Sequence, residues 1–531
     1  MRTNKPFHPL QDSIIATIFK ILITLALLKP CEAAEPIPNF DLSSTLLDPT
    51  KTGFAIGASA ISGGNFGQSV DIAGDINGDG HLDIIIGAYS QNSNKGVVYV
   101  IYGGPTSGFK NIDTGSPALN PATTGFTITG KTAGDYLGYR ASRAGDINND
   151  GYDDIIIGAI GFSSSRGAAY VIYGGPISSN IDLSTTTLDP ATTGFMIKGE
   201  NTGDQFGYSV NPAGDINKDN YDDIIIGAPL RNSVQGASYV IYGGPKSSLP
   251  NLDLSSTTLN PTLTGFTIKG NVVGDIFGRW GNTAGDVNGD GYDDIIIGAF
   301  RYGSWKGAAY LIYGREKSLL SNIDLGSTSL DPSTTGFTII GENNNDRLGV
   351  SVGPAGDIND DGYDDILVGA ANYKSAAGAV YVIYGGPKSS LLNIDLSSAP
   401  LDPTAGFMVK GGSANDLLGW PVISGGDING DGYDDMIMGA YGFRSSRGAA
   451  YVVYGGPKSS LSNIDLSSTT LDPATTGFTL IGNSAGDQFG FAVNAGDINN
   501  DGYSDLIIGA PLKNGASGIA YVIHNSILFS F

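Results

Sequence analysis

The stretch "AGDVNGDGYDDIIIGA", residues 284–299, sets four carboxylates and three glycines directly before an apolar run. Like charges crowded so tightly repel, so the segment needs a counter-charge to hold it in one shape. Close copies begin at Asp75, Asp146, Asp215, Asp286, Asp357, Asp427 and Asp497, spaced 69 to 71 residues apart. A fixed period marks repeated structural units, and it outranks any local motif. Around every acidic loop the same pieces recur in order. An "FG" or "LG" element such as "FGYSV" (206–210) precedes the loop, "DIIIGA" follows it, then "GAAYVIYGG", then a "GF" element such as "GFTIKG" (265–270). Each is short, rich in Val, Ile, Tyr and Thr, and bounded by Gly, Pro, Asn or Asp, which is a strand signature. We label these pieces A (FG), B (IIIGA), C (YVIYGG) and D (GF).

Four short strands per repeat, seven times over, predict an all-β fold: a seven-bladed β-propeller of four-stranded antiparallel blades. The last repeat stops after piece C, at "AYVIH" (520–524), while an orphan D piece, "GFAIG" (53–57), precedes the first repeat. The N-terminal strand is therefore expected to complete the seventh blade, closing the ring and removing a free edge. Residues 34–531 read as one propeller domain, with repeat cores at about 66–524; the usual length prior of several domains yields to the repeats.

Residues 1–33 read as a secretory signal peptide. Arg2 and Lys5 supply the basic start, "ILITLALL" (21–28) the apolar core, and "CEAAEP" (31–36) a small-residue cleavage site after Ala33. Lys20 interrupts the apolar stretch, which disfavours a spanning helix, so no transmembrane anchor is expected. Cys31 is the only cysteine, so the secreted or periplasmic form would carry no disulfide. The net charge of −23 becomes −25 without residues 1–33, which disfavours nucleic acid and anionic membrane as partners. Of the 52 acidic residues only five are Glu, so the short Asp side chain is being selected.

With Asp286 as loop position 1, oxygen side chains fall at positions 1, 3, 5 and 9, with Gly291 at 6 and Tyr292 at 7. Alternating oxygens on a tight loop converge on one hard cation, position 7 giving only its carbonyl and leaving its side chain free to vary. The candidate metal ligands are Asp75, Asn77, Asp79, His81 and Asp83; Asp146, Asn148, Asp150, Tyr152 and Asp154; Asp215, Asn217, Asp219, Tyr221 and Asp223. They continue with Asp286, Asn288, Asp290, Tyr292 and Asp294; Asp357, Asn359, Asp361, Tyr363 and Asp365; Asp427, Asn429, Asp431, Tyr433 and Asp435; Asp497, Asn499, Asp501, Tyr503 and Asp505. The one departure is Asn220 for Gly at position 6, and Asn tolerates a left-handed backbone. Plain Asx/Gly turns are the simpler reading, but a turn needs two or three such residues rather than four oxygens in register. Oxygen-only donors with a carbonyl favour Ca²⁺, up to seven ions, over Zn²⁺ or copper. Seven would bring −25 to −11.

The combination "FG … GDINGDGYDDIIIGAP … GAAYVIYGG" resembles the FG-GAP repeat of integrin α-subunit propellers. Phe206-Gly207 with Gly227-Ala228-Pro229, and Phe489-Gly490 with Gly509-Ala510-Pro511, carry the namesake residues intact. The resemblance implies a seven-bladed propeller with Ca²⁺ in the A–B loops. Integrin propellers carry such loops in only some blades; here all seven qualify.

In such a blade the A–B and C–D turns share one face and the B–C and D–A turns the other. The B–C loops vary most among the repeats, and three carry aromatics beside Arg or Lys: Arg301, Tyr302 and Trp305; Tyr373 and Lys374; Phe443 and Arg444. These are the candidate ligand contacts, for an extracellular protein or a glycan. Trp280 and Trp420, in A strands, are assigned to packing. Three functions follow: a secreted calcium-binding adhesion or protein-interaction scaffold, a carbohydrate-binding lectin, or a hydrolase, since FG-GAP repeats also accompany a phospholipase. His8, His81 and His524 form no zinc cluster and no nucleophile–base pair, so the expectation is that the chain is not an enzyme.

Overall fold

The computed structural model describes residues 40–57, 63–114 and 118–525. The signal-peptide reading of residues 1–33 and the C-terminal "SILFSF" lie outside the described residues. Seven sheets form, one for each repeat. In the fourth blade strands A to D are Gly281–Gly285, Asp294–Ala299, Ala308–Ile312 and Gly336–Ile340, every neighbour antiparallel. The propeller expectation holds.

Each blade differs from the expected four strands by a fifth, two-residue strand. Ile394–Asp395, from the C–D connection of the fifth repeat, pairs in parallel with strand D of the fourth. The outer rim is thus laced blade to blade, which covers a sheet edge that would otherwise be open. Ring closure uses two N-terminal strands. Gly53–Gly57 pairs antiparallel with Ile519–Ile523 as strand D of the seventh blade, and Phe40–Asp41 pairs in parallel with strand D of the sixth.

Strand B shows why the apolar run is continuous rather than alternating. Ile155 and Ile157 enter the layer between the first and second blades, while Ile156 enters the layer between the second and third. Both faces of a blade are covered, so both faces must be apolar. The core is accordingly seven inter-blade layers instead of one centre.

The two glycines that punctuate each repeat meet across these layers. Gly207, at a φ of 85°, donates its N–H to the Gly227 carbonyl of its own blade at 3.0 Å. Its own carbonyl presses on Gly158 of the preceding blade, where a Cβ would lie 2.0 Å from that oxygen. Gly227 stands against Gly278 in the same way, with 1.8 Å for a Cβ. Backbone cannot yield there, so Gly227→Ala is expected to destabilise by about 3 kcal/mol, the upper end of overpacking costs. Urea unfolding of the variant checks this, and a loss under about 1 kcal/mol would contradict the contact.

Candidate functional site

The seven acidic loops lie between strands A and B, one per blade. In the fourth, Asp286 accepts the N–H groups of Gly289 and Asp290 on Oδ1 at 2.8 and 3.0 Å, and of Gly291 on Oδ2 at 2.7 Å. Asp290 Oδ1 accepts the Tyr292 N–H at 3.2 Å. Asp294 is fully buried and accepts the N–H groups of Val287 and Gly314 at 3.1 and 2.9 Å. Asn288 donates its amide to both Asp294 oxygens at 3.2 and 3.0 Å. Its Oδ1 is buried and accepts nothing, and the same is true of Asn148, Asn217, Asn359 and Asn499. Those five Asn residues are only 5 to 7% exposed.

The position-9 carboxylates are all held above their ordinary range. Burial, reinforced by the carboxylates at positions 5 and 1, pushes Asp83, Asp154 and Asp435 up to about 8. Among the described residues no three His, Cys, Asp or Glu side chains are gathered as a metal cage; the loop carboxylates point at backbone amides instead. The all-oxygen donor set and the five orphaned Asn oxygens nevertheless fit a hard cation, because a buried acceptor without a donor is otherwise a plain loss. In the first and sixth loops Asn77 and Asn429 instead accept the N–H of Asp79 and Asp431, both at 2.8 Å.

Three kinds of inter-blade contact at these loops are not legible in the sequence. The residue at position 7 is not free: the Tyr152 and Tyr363 rings lie over Gly78 and Gly289 of the preceding loops, where a Cβ would be 2.5 Å from each. Position 8, the second Asp of "DD", caps the preceding loop. Asp153, Asp222, Asp293, Asp364 and Asp434 accept the position-1 N–H of the blade before, at 2.8 to 2.9 Å. The doubled Asp is the one signal of it. A lysine from the next blade also reaches position 5 in three loops, as in Lys388 to Asp290 at 2.6 Å, Lys246 to Asp150 at 2.6 Å and Lys317 to Asp219 at 2.9 Å. In a fourth, Lys458 approaches Asp361 at 3.9 Å.

Strands A line a central cavity of about 460 Å³. On its wall Asp71 accepts hydrogen bonds from Ser142, Asn494 and, at 2.8 Å, the Ile72 N–H. Burial pushes its carboxyl up to about 6, against the opposing pull of Ser142, Ile72 and Arg143. A folded value above the unfolded one means the neutral form is favoured by the fold. That stabilisation is complete below the unfolded value of 3.8 and is lost as pH rises through about 6. Asp71→Asn is therefore expected to raise the melting temperature at pH 7.5 and to flatten its decline between pH 4 and 6; a lowered melting temperature at pH 7.5 would refute the assignment.

On the opposite face the candidate ligand residues divide. Tyr373 is 3% exposed and belongs to the layer between the fourth and fifth blades, so it is not a surface contact. Tyr302 and Phe443 pack against the corresponding layers. The first aromatic of each of these loops is an inter-blade wedge, which its polar neighbours disguise. Lys374 and Arg444 are exposed. The guanidinium groups of Arg301, at 4.3 Å, and Arg347, at 4.8 Å, lie over the Trp305 ring and compete with any sugar that would stack on it. Trp420, assigned to packing, carries Arg279 over its ring at 4.9 Å. The loops vary in sequence yet share one conformation, with two successive left-handed residues such as Gly303 and Ser304.

The FG-GAP repeat family matches residues 66–101, 138–172, 206–241, 278–312, 348–383, 419–453 and 489–523. The chain is 29% identical to integrin alpha pat-2 of Caenorhabditis briggsae over 45% of its own length and 18% of the relative's. It is 25% identical to phosphatidylinositol-glycan-specific phospholipase D of Homo sapiens over 71% of its length and 43% of the relative's. The Dictyostelium discoideum phospholipase of that name is 30% identical over 62% of the chain and 34% of the relative. The chain thus matches less than half the length of each. These phospholipases overturn the expectation that the chain is not an enzyme. That expectation rested on the scarcity of histidine and on the commitment of most Asp to loops, and neither decides the activity of a frame that recurs in phospholipases and integrins alike.

Proposed function

This chain is a protein of seven FG-GAP repeats resembling the integrin α propeller, and on that premise we propose that it is a secreted calcium-binding scaffold for adhesion or protein interaction. Calcium would sit in the A–B loops, held by the oxygens at positions 1, 3, 5 and 9 and the position-7 carbonyl. The partner, an extracellular protein, would bind the B–C loop face. The observation that carries the reading is the buried, unpartnered Asn oxygen beside a buried Asp in five loops. A hard cation supplies the positive charge both groups lack, and the loop backbone is already turned for it. No described helix is long and apolar enough to cross a membrane.

The test is a count of bound metal by elemental analysis after gel filtration in calcium. About seven ions per chain are expected, with one fewer in Asn288→Ala combined with Asp294→Asn. No bound calcium at millimolar concentration would refute the proposal, since extracellular modules bind at about 10⁻⁴–10⁻³ M.

A further inference from the structure

In a chain of net charge −23, arginines normally find carboxylates. Arg166, Arg231 and Arg447 do so, with Asp253, Glu200 and Asp41. Six others among the described residues do not, and three of these share aromatic partners around the fourth and fifth blades. Arg279 leads into strand A of the fourth blade, Arg301 sits in the B–C loop of that blade, and Arg347 in the turn before strand A of the fifth. None makes an ion pair with a carboxylate among the described residues, and Arg279 Nε donates instead to the Tyr208 hydroxyl at 3.1 Å. Burial first, and then the neighbouring Arg279, depresses the basicity of Arg301 and of Arg347.

The three each lie over aromatic rings. Arg279 lies over Trp420 and Phe300, both at 4.9 Å, and Arg301 and Arg347 both lie over Trp305, at 4.3 and 4.8 Å. The Nε groups of Arg301 and Arg347 and the indole N–H of Trp420 are buried with no acceptor. The ring contacts restrain each guanidinium, and no carboxylate among the described residues pairs with it. Such a half-buried cluster of uncompensated cations is preorganised for an anion.

We propose that Arg279, Arg301 and Arg347 form a carboxylate-binding site on the face of the B–C loops and D–A turns, and that its ligand is an acidic segment of a protein partner. A guanidinium presents two parallel donors that match a carboxylate, and three of them accommodate one or two acidic side chains. The surrounding field opposes long polyanions such as nucleic acid or heavily sulfated glycan, because charge of the same sign covers the rest of the chain. A short acidic segment on an otherwise neutral surface escapes that repulsion. The assignment rests on the B–C loops being a protein-binding face, and it names what that face recognises.

The experiment is fluorescence anisotropy of the full chain, in 1 mM calcium and at low salt, with a labelled ten-residue peptide carrying three Glu residues and its Gln counterpart. The Glu peptide is expected to bind at least tenfold more tightly. That preference should vanish in the triple variant R279Q/R301Q/R347Q and survive in the control K131Q, which lies outside the cluster. Should the triple variant fold poorly, R301K and R347K keep the charge but lose the fork, and each should weaken binding several-fold at unchanged melting temperature. Glu-peptide binding that persists in the triple variant would overturn the triad while leaving the scaffold reading intact. Arginine-dependent binding of dextran sulfate with no preference for the Glu peptide would overturn it in favour of an acidic glycan. No binding of either peptide would also overturn it, without touching the calcium count on which the scaffold reading stands.

Discussion

Chelating calcium should lower the melting temperature of residues 34–531 by more than about 10 °C, the largest effect expected of any solution change. A ligand at 100 times its dissociation constant stabilises by about 2.7 kcal/mol per site, so even three occupied loops amount to about 8 kcal/mol. Without the ion each position-9 Asp remains buried beside two further carboxylates, its charge opposed by burial itself. The loss should be uneven. Lys246, Lys317, Lys388 and Lys458 lend a cation to the loops of the second to fifth blades, whereas Asp79, Asp431 and Asp501 have no such lysine among the described residues. Hydrogen exchange in chelator should therefore open the first, sixth and seventh loops before the other four. An unchanged melting temperature would reduce the acidic loops to turns.

Removing the strand that closes the ring should be nearly as damaging. Phe54 and Ile56 are fully buried in the layer between the seventh and first blades. Phe54→Ala alone is expected to cost about 3–5 kcal/mol. Deleting residues 40–57 also strips the partners of Ile519–Ile523 and Ile112–Asp113, and frees the last strand of the sixth blade. Three exposed edges in one molecule favour association over a closed monomer. Size-exclusion chromatography should show a broadened, oligomeric chain, and a synthetic peptide of residues 40–57 should restore the monomer. A deleted chain that stays monomeric and melts within about 2 °C of the full one would mean the ring is held by its inner strands alone.

The repeat period, the strand order and the displaced D piece were all legible because they are properties of spacing. A period of about 70 with four apolar runs admits few folds, and an orphan strand at one end has one place to go. The namesake glycines were visible as a motif, but their cause was not. That Gly227 is required by the carbonyl of Gly278 is a contact between repeats, and nothing within one repeat records it. The same limit hid the position-8 Asp caps, the Tyr rings over the preceding loops and the parallel two-residue strands. Each joins residues roughly one repeat apart, such as Asp286 and Asp364.

The loop face divided along the same line. Composition identified Arg301 and Trp305 as notable, yet it equally promoted Tyr373, which the blade interface buries. Whether an aromatic beside a basic residue is a wedge or a platform depends on which neighbouring blade stands behind it. The sequence by itself determined the repeating unit, its number and its acidic loops, because these are written in local spacing. Only the tertiary structure decided which of those side chains compensate one another, because each blade's charges and cavities are completed by the blade beside it.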